Sequence, residues 1–493
     1  MDIHSDCEVN FVENMSTTED YVSERNNILK KEENLFLGSS LQLDERESKL
    51  DSHILDLKSN ELKLSYQNSQ DFLPKKNFFE SKKDIDNSKI FKILKKLPKG
   101  HSLHSHLLAS GSIDFIITNI TYRENVYGKF INDQFKIKFL RKDEAKENGW
   151  VSLQEMRRNK TNFDDWLKQQ LSLMVDCPRE SYPSLESVWK KFKGTFSAVY
   201  DMFSYKPAFE DYYYQCLKEL YEDNVMYVEF RATPMPFYDL KGGHYETEDF
   251  FKTMIEVEEN FKKGHSDFIG ARYIHSIYRG ISLEDLRKEL KDILEMKEKF
   301  PKLIVGLDFV GFEEEGHSLV DFHEDLMNVR EKLDFFFHAG ETNWFGHTDC
   351  NLVDAVLMKS KRIGHGFALS RHPQLMNLVF ENNIAIEHCP ISNQVLLLND
   401  DPRNHPIIPL LSKGFPVVIC NDDPAVWGAT GLSYDWYVTF LAMTPKKCGL
   451  KVLKQFALNS IRFSALDDGE KKNAMDVWSR RWDNFLSEIL KDI

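Results

Sequence analysis

From about residue 85 onward, short apolar runs alternate with longer amphipathic segments of helical period. This alternation is typical of repeated βα units, in which helices connect parallel strands. Helical segments are predicted, for example, at residues 284–298 and 453–460. Eight candidate strands begin near Ser102, Met226, Phe268, Ile304, Phe335, Arg362, Ile384 and Val417. Eight such strands fit a closed α/β barrel, and we predict a (β/α)8 (TIM) barrel for residues 85–493.

Two regions depart from this pattern. Residues 1–84 are predicted to be an N-terminal extension that is polar and irregular through about residue 35 and then helical. At residues 41–64 apolar residues recur at helical spacing, namely Leu43, Leu50, Ile54, Leu57 and Leu64. This helix is expected either to pack on its own barrel or to form a homodimer contact. The long interval after strand 1 predicts an inserted lobe at residues 115–165, where Phe135, Ile137 and Phe139 alternate with lysines as in a strand, followed by helices at the barrel mouth.

Charge and hydropathy exclude several classes of partner. Acidic residues outnumber basic ones by 78 to 64 without a basic cluster, so no nucleic acid partner is expected. No apolar run approaches the roughly 18–20 residues that span a bilayer, so no membrane partner is expected. The N-terminus is acidic, and the seven cysteines are scattered without a CxxC pair. A cytoplasmic protein with reduced thiols is therefore expected, in which the sequons at Asn14, Asn119 and Asn159 are unused.

Four polar clusters follow predicted strands, at the carboxyl ends where barrel enzymes place their active sites. His104 and His106 are two residues apart in a strand, so both imidazoles can face one ion. His338 ends an aromatic run, and Glu341 follows it after a small Ala-Gly pair. Taken alone, each cluster also has a plain structural interpretation as polar residues at a strand end or a helix start.

The remaining two clusters complete a candidate metal set. His365 lies between two glycines, which exposes it toward a reacting atom, although a histidine in a tight turn is the simpler interpretation. Asp422 and Asp423 follow a buried strand, so one carboxylate can bind a metal while the other faces a substrate. Together the clusters supply three histidines and one aspartate for a cation, a set that suits Zn²⁺ with water as a further ligand.

Other catalytic classes lack their motifs. His323-Glu324 begins an HExxH pattern, but Met327 occupies the position of the second histidine. No P-C-x-x-C segment of the cytidine deaminase type, no GxSxG elbow and no Walker A loop occurs in the sequence.

The chain resembles the adenosine/AMP deaminase family, and within it the adenosine deaminase-related growth factors. The resemblance runs from about residue 97 to residue 482 and includes LPKG, LHSH, EDNVMYVEFRA, GLDFVGFEEEGHS, FFHAGET, RIGHGFALS, IEHCPISNQVL and NDDPAVWGATGLSYDWY. It implies a barrel of the metal-dependent hydrolase type with one zinc ion per chain.

The resemblance also implies a role for each matching residue. His104, His106, His338 and Asp422 would bind zinc. Glu341 would protonate N1 of a purine, and His365 would orient and deprotonate the attacking water. Asp423 would hydrogen-bond N7, and the backbone of Gly311 would contact N3. Glu387 would act behind the site in support of the catalytic histidine, and Trp344, Lys193 and Tyr278 would lie on the substrate side.

Three departures from the family pattern concern the sugar end and the lobe. Lys193 stands where an acidic residue is expected near the ribose, and Tyr278 stands where the family often has a histidine. Residues 115–165 contain no cysteine, whereas most secreted members carry a disulfide there.

Three functions follow. The first is hydrolytic deamination of adenosine or 2′-deoxyadenosine to inosine or 2′-deoxyinosine. The second is deamination of an adenine nucleotide (AMP or ATP), with Lys193 and Arg279 near the phosphate. The third is a catalytically silent, growth-factor-like signalling protein, although such a scaffold has no need of the intact polar set.

Overall fold

The computed structural model describes residues 17–68 and 72–493. Its strands are β1 (Gly100–His106), β2 (Val126–Ile131), β3 (Gln134–Phe139), β4 (Val151–Ser152), β5 (Val225–Ala232), β6 (Gly270–Tyr278), β7 (Ile304–Val310), β8 (Asp334–Phe335), β9 (His338–Ala339), β10 (Arg362–His365), β11 (Ala385–His388) and β12 (Val417–Ile419).

Helices surround and cover these strands. They are α1 (Thr18–Leu35), α2 (Glu45–Gln67), α3 (Phe78–Ile85), α4 (Lys89–Lys96), α5 (Ile113–Phe115), α6 (Lys142–Glu147), α7 (Leu153–Asn159), α8 (Phe163–Leu171), α9 (Pro178–Ser181), α10 (Leu185–Phe203), α11 (Lys206–Glu222), α12 (Thr247–Lys262), α13 (Leu283–Lys299), α14 (His323–Val329), α15 (Asn351–Leu357), α16 (Pro373–Glu381), α17 (Pro390–Val395), α18 (Ile408–Ser412), α19 (Ser433–Ala442), α20 (Leu450–Arg462) and α21 (Asp468–Ile489). In the described residues, no helix combines the length and the hydropathy that crossing a bilayer requires.

Two parallel sheets close into one barrel. One sheet has the order β1-β5-β6-β7-β8, and the other has the order β12-β11-β10-β9. β8 and β9 are two parts of one strand position, where Phe336 N–H donates to Leu307 (3.0 Å) and Gly364 N–H donates to the Phe337 carbonyl (2.8 Å). At the other seam, His106 N–H donates to the Asp422 carbonyl at 2.9 Å. The predicted (β/α)8 fold is confirmed.

The strand pattern was read correctly from the sequence. Each observed barrel strand starts within two residues of its predicted start. The predicted helices at 284–298 and 453–460 correspond to α13 and α20. β5, β6 and β12 carry runs of buried apolar residues, which make these strands easy to locate, whereas β1 and β10 are buried but mainly polar or glycine.

The insertion after β1 contains a small antiparallel sheet in the order β3-β2-β4. Asn132 and Asp133 have φ of 49° and 61°, as expected for a two-residue hairpin turn of type I′. The lobe packs on α10, where Lys136 Nζ donates to the Ser197 carbonyl at 2.9 Å. Helix α10 in turn covers the barrel mouth, so the insertion positions one wall of the pocket.

The N-terminal extension differs in part from its prediction. Thr18–Leu35 is a helix instead of an irregular segment, and a capping box between Thr17 and Asp20 accounts for its start. No residue of α1 is buried, which explains why its apolar pattern was too weak to predict it. The helix predicted at residues 41–64 corresponds to α2, whose buried Leu50 and Ile54 face the barrel helices α20 and α21. Residues 1–16 lie outside the described residues.

Candidate active site

Four predicted metal ligands meet at the carboxyl end of the barrel. His104 and His106 lie on β1, His338 begins β9, and Asp422 follows β12. One ligand atom of each residue lies within 4.8 Å of those of the other three. Asp422 Oδ1 is 3.2 Å from His104 Nε2 and 3.1 Å from His106 Nε2. Strands far apart in sequence thus bring three imidazoles and one carboxylate to one point.

The chemistry of these four donors fits zinc. His104 Nε2 and Asp422 Oδ1 are buried, and neither has a hydrogen-bond partner among the described residues. Burial lowers the pKa of His338 to about 4, so its imidazole is neutral and keeps a free lone pair near pH 7. Burial raises the pKa of Asp422, but the imidazoles of His104 and His106 close to its carboxylate outweigh burial and hold that pKa well below its ordinary value. Three nitrogen donors and one ionised carboxylate are a common zinc set.

Two of the histidines are oriented from behind by carboxylates. His104 Nδ1 lies 2.8 Å from Glu387 Oε2, and His338 Nδ1 lies 2.7 Å from Asp308 Oδ2. Each Nδ1–H donates to its carboxylate, which leaves Nε2 to face the metal position. Glu387 therefore supports a metal ligand, whereas the prediction assigned it to the catalytic histidine. Asp308 was missed, and its only signal in the sequence is a carboxylate inside the apolar strand β7.

His365 occupies a special backbone position beside the metal ligands. Its φ is 59°, in the left-handed region, and its side chain is buried beside the rings of His104 and His338. Nε2 lies 3.6 Å from Glu341 Oε1 and 3.7 Å from Asp422 Oδ2. Burial lowers the pKa of His365 well below its ordinary value, so the ring is neutral.

Asn393 determines which nitrogen of His365 carries the proton. The N–H of Ile407 donates to His405 Nδ1 at 3.0 Å, so the proton of His405 is on Nε2 and donates to Asn393 Oδ1 at 3.0 Å. The Asn393 amide nitrogen then donates to His365 Nδ1 at 3.1 Å. The neutral ring of His365 consequently holds its proton on Nε2. This tautomer favours orientation of a water molecule and leaves no lone pair on Nε2 for its deprotonation.

Glu341 lies in the same buried space with its backbone held in place. Burial, reinforced by the charge of Asp422, raises the pKa of Glu341 well above its ordinary value, which favours the protonated carboxyl. The N–H groups of Gly340 and Glu341 donate to the two oxygens of Glu313, at 3.0 and 2.6 Å. Glu313 was not predicted, because three successive glutamates on a loop give no sign of which one is buried.

Asp423 and Gly311 face the cavity from opposite strands. Asp423 is buried, and its Oδ1 has no hydrogen-bond partner among the described residues. Burial and the neighbouring Asp422 raise its pKa well above the ordinary value. Gly311 has a φ of 105°, and a Cβ there would lie 2.7 Å from the ring of Tyr278. Only glycine fits this close approach, which leaves the backbone of Gly311 open to the cavity.

A cavity of about 440 Å³ connects the metal ligands with solvent. Its lining includes His106, His338, Glu341, His365, Asp422, Asp423, Gly311, Lys193 and Tyr278. Apolar side chains form most of the remaining wall, with Trp189, Phe192 and Phe196 contributed by α10. An apolar cavity with a few convergent polar groups is the usual form of a small-molecule site.

The outer residues are arranged differently from their prediction. Lys193 lines the cavity, but its ammonium pairs with Glu315. Trp344 is 62% exposed and does not line the cavity; its indole N–H donates to Glu314 Oε2 at 3.0 Å. Arg279, predicted near a phosphate, is buried behind the site and donates to the carbonyl of His338.

Fold and site together define a hydrolase of the metal-dependent (β/α)8 class. A model of the adenosine deaminase family matches residues 177–479, and a model of the adenosine/AMP deaminase N-terminal region matches residues 8–94. Adenosine deaminase 2 of Sus scrofa is 40% identical over 95% of this chain and 94% of that protein. An adenosine deaminase of Phlebotomus duboscqi is 39% identical over 93% of this chain and 90% of that protein. The chain belongs to the adenosine deaminase family, in its growth-factor-related branch, and is an enzyme.

Solved structures agree on the fold. The N6-mAMP deaminase of Arabidopsis has a TM-score of 0.58 and 18% identity over 79% of this chain and 99% of that chain. A zinc-bound amidohydrolase of Burkholderia ambifaria has a TM-score of 0.54 and 20% identity over 82% of this chain and 95% of that chain.

Proposed function

We propose that this enzyme hydrolyses adenosine and 2′-deoxyadenosine to inosine and 2′-deoxyinosine, with release of ammonia and with one zinc ion per chain. The observation that carries the proposal is the convergence of four metal-donor atoms, Glu341, His365 and Asp423 on one cavity. A catalytically silent protein has no need to keep these seven groups together in buried positions.

The chain's own residues account for the steps of the reaction. Zinc, when bound, supplies the Lewis acidity that makes water a nucleophile at neutral pH. His365 Nε2 orients this water toward C6 of the purine. Glu341 delivers its proton to N1 as negative charge develops there, and the carboxyl of Asp423 donates to N7. The backbone N–H of Gly311 faces N3. Glu341, once it has given its proton to N1, takes one back from the water whose hydroxyl bonds to C6. The proton of that hydroxyl then passes to the 6-amino group, the bond between C6 and this nitrogen breaks, and ammonia leaves the 6-oxo purine.

The outer end of the cavity favours a nucleoside over a nucleotide. A 5′-phosphate is bound more strongly where an unpaired cation compensates its charge. Lys193 is paired with Glu315, and Arg231 is buried between Asp308 and Glu387. Arg279 does not reach the cavity. These contacts disfavour the alternative of AMP or ATP as substrate.

One parallel assay tests the proposal. The zinc-loaded enzyme is given adenosine, 2′-deoxyadenosine, AMP and ATP, and conversion to the 6-oxo purine is followed by ultraviolet absorbance. We expect turnover of both nucleosides, at a kcat/KM at least about tenfold above that for either nucleotide. The Asp422→Ala variant serves as the control that assigns the activity to this site. No turnover of adenosine, or AMP as the better substrate, would refute the proposal.

Two further expectations remain proposals. We propose a cytoplasmic location, supported by the six described cysteines, which are all free thiols. A mass shift of the native protein after endoglycosidase treatment would contradict it.

A homodimer through the N-terminal helices is supported by exposed apolar residues of α1, namely Tyr21, Val22, Ile28 and Leu29. Light scattering of the purified chain would decide it.

A further inference from the structure

A single guanidinium group lies between the two histidine–carboxylate pairs of the metal site. Arg231 on β5 is buried, with its Nε 2.6 Å from Asp308 Oδ2 and its Nη2 2.6 Å from Glu387 Oε2. These same two oxygens accept the Nδ1–H groups of His338 and His104. Each carboxylate oxygen is thus shared between Arg231 and one metal ligand.

Arg231 also holds the backbone of both strands that carry these ligands. Its Nη1 donates to the carbonyl of Leu103 at 3.0 Å, directly before His104. Its Nη2 donates to the carbonyl of Phe336 at 3.1 Å, two residues before His338. The planar guanidinium reaches four acceptors on four chain segments at once, which the three-donor ammonium of lysine cannot reproduce in the same geometry.

We propose that Arg231 is a positioning residue that joins His104 and His338 into one preorganised pair of zinc ligands and thereby sets the rate of zinc release. It acts through Asp308 and Glu387 and has no contact of its own with the metal position. His106, the third histidine, is the neighbour of Arg231 across the β1–β5 pairing, but among the described residues no hydrogen bond joins their side chains, and His106 depends on β1 for its placement. The inference rests on the zinc assignment of the proposed function.

Zinc release from the purified enzyme tests this role without an activity measurement. Wild type and Arg231→Lys are loaded with zinc, and transfer to a coloured chelator in excess is timed. We expect release to be about 10- to 100-fold faster in Arg231→Lys, the range typical for loss of groups that orient metal ligands. Equal release rates in two folded proteins would overturn the proposal.

Arg362→Lys is the matched control. Arg362 is equally buried and also donates to Glu387, through Oε1 at 2.6 Å, but its other contacts are Glu229 and the carbonyls of Leu103 and Phe463. Both variants loosen the same buried ion network, but Arg231→Lys loses the link between Asp308 and Glu387, whereas Arg362→Lys keeps it. We expect Arg362→Lys to release zinc at least about threefold more slowly than Arg231→Lys. Identical rates would assign the effect to general loosening and overturn the proposal.

A double-variant cycle keeps the inference testable if Arg231→Lys does not fold. Asp308→Asn weakens the hydrogen bond that orients His338, and Glu387→Gln weakens the one that orients His104. Coupling through Arg231 makes the effects of the two substitutions on zinc release dependent on each other. The combined effect should differ from the product of the single effects by more than about twofold, whereas independent supports would multiply. A wild-type protein that binds no zinc would refute the proposed function itself, which separates that failure from failure of the Arg231 link.

Discussion

The two ends of the cavity differ in how their polar groups are held. At the inner end, His104, Glu341 and Asp422 are buried, and a further layer of buried charged groups fixes their surroundings. At the outer end, Tyr278 is 54% exposed and Lys193 pairs with Glu315 across the mouth. The polar groups of the inner end are therefore held in a fixed, buried arrangement, whereas those of the outer end are partly exposed to solvent.

This difference follows from the elements that build each end. The inner residues lie at the ends of parallel strands, whose positions are set by barrel closure. The outer residues lie on α10, at the end of β6 and on loops after β7 and β9, where solvent competes for hydrogen bonds. Substitutions at the inner end should consequently lower kcat by orders of magnitude. Substitutions at the outer end should change the ratio of kcat/KM between substrates only moderately.

The largest effect is expected from Glu341→Gln at the inner end. Glutamine has nearly the same shape but cannot deliver a proton to N1, so kcat should fall by about 10²- to 10⁴-fold with the fold and the zinc retained. Steady-state kinetics with adenosine, together with metal analysis, measure this. Glu314→Gln is the control at the outer end, because within residues 17–68 and 72–493 the side chain of Glu314 hydrogen-bonds only to Thr342 and Trp344. A Glu341→Gln variant that keeps more than about a tenth of wild-type kcat would remove Glu341 as the acid.

A smaller but still large effect is expected from Asn393→Leu. Leucine keeps the approximate volume and removes the donor that fixes the proton of His365 on Nε2. We expect kcat to fall by about 10- to 100-fold while KM and zinc content change little, because the loss concerns orientation of the water. His405→Gln is a companion variant, since its amide can still donate to Asn393 and should preserve more activity. Unchanged kcat in Asn393→Leu would show that the tautomer of His365 is set without Asn393.

The sequence was sufficient to predict that the four candidate metal ligands meet at the barrel end, and insufficient for the groups behind them. His104, His106, His338 and Asp422 stand at strand ends within distinctive short motifs, so strand order and chemistry converge on the same residues. Asp308, Arg231 and Asn393 are single polar residues within buried segments, and their partners come from strands far away in sequence. Only barrel closure shows which of them meet. At the mouth, Lys193 and Trp344 hydrogen-bond to glutamates of the loop after β7. Spacing in the sequence does not reveal which segments come into contact there.

The smallest effect is expected at the outer end of the cavity, from Glu315→Gln. In the wild type the ammonium of Lys193 is occupied by Glu315, so it contributes little to binding a 5′-phosphate. Glutamine removes the competing charge and frees Lys193, which should raise kcat/KM for AMP by about three- to tenfold and leave adenosine within about twofold. Lys193→Met in the same background should reverse this gain, whereas Lys193→Met alone should leave both substrates nearly unchanged. The ratio of AMP to adenosine turnover in the four proteins measures the effect directly. If Lys193→Met alone lowers kcat/KM for AMP tenfold, then Lys193 binds the 5′-phosphate in spite of its pairing with Glu315. The outer end would then discriminate between AMP and adenosine more strongly than its contacts indicate.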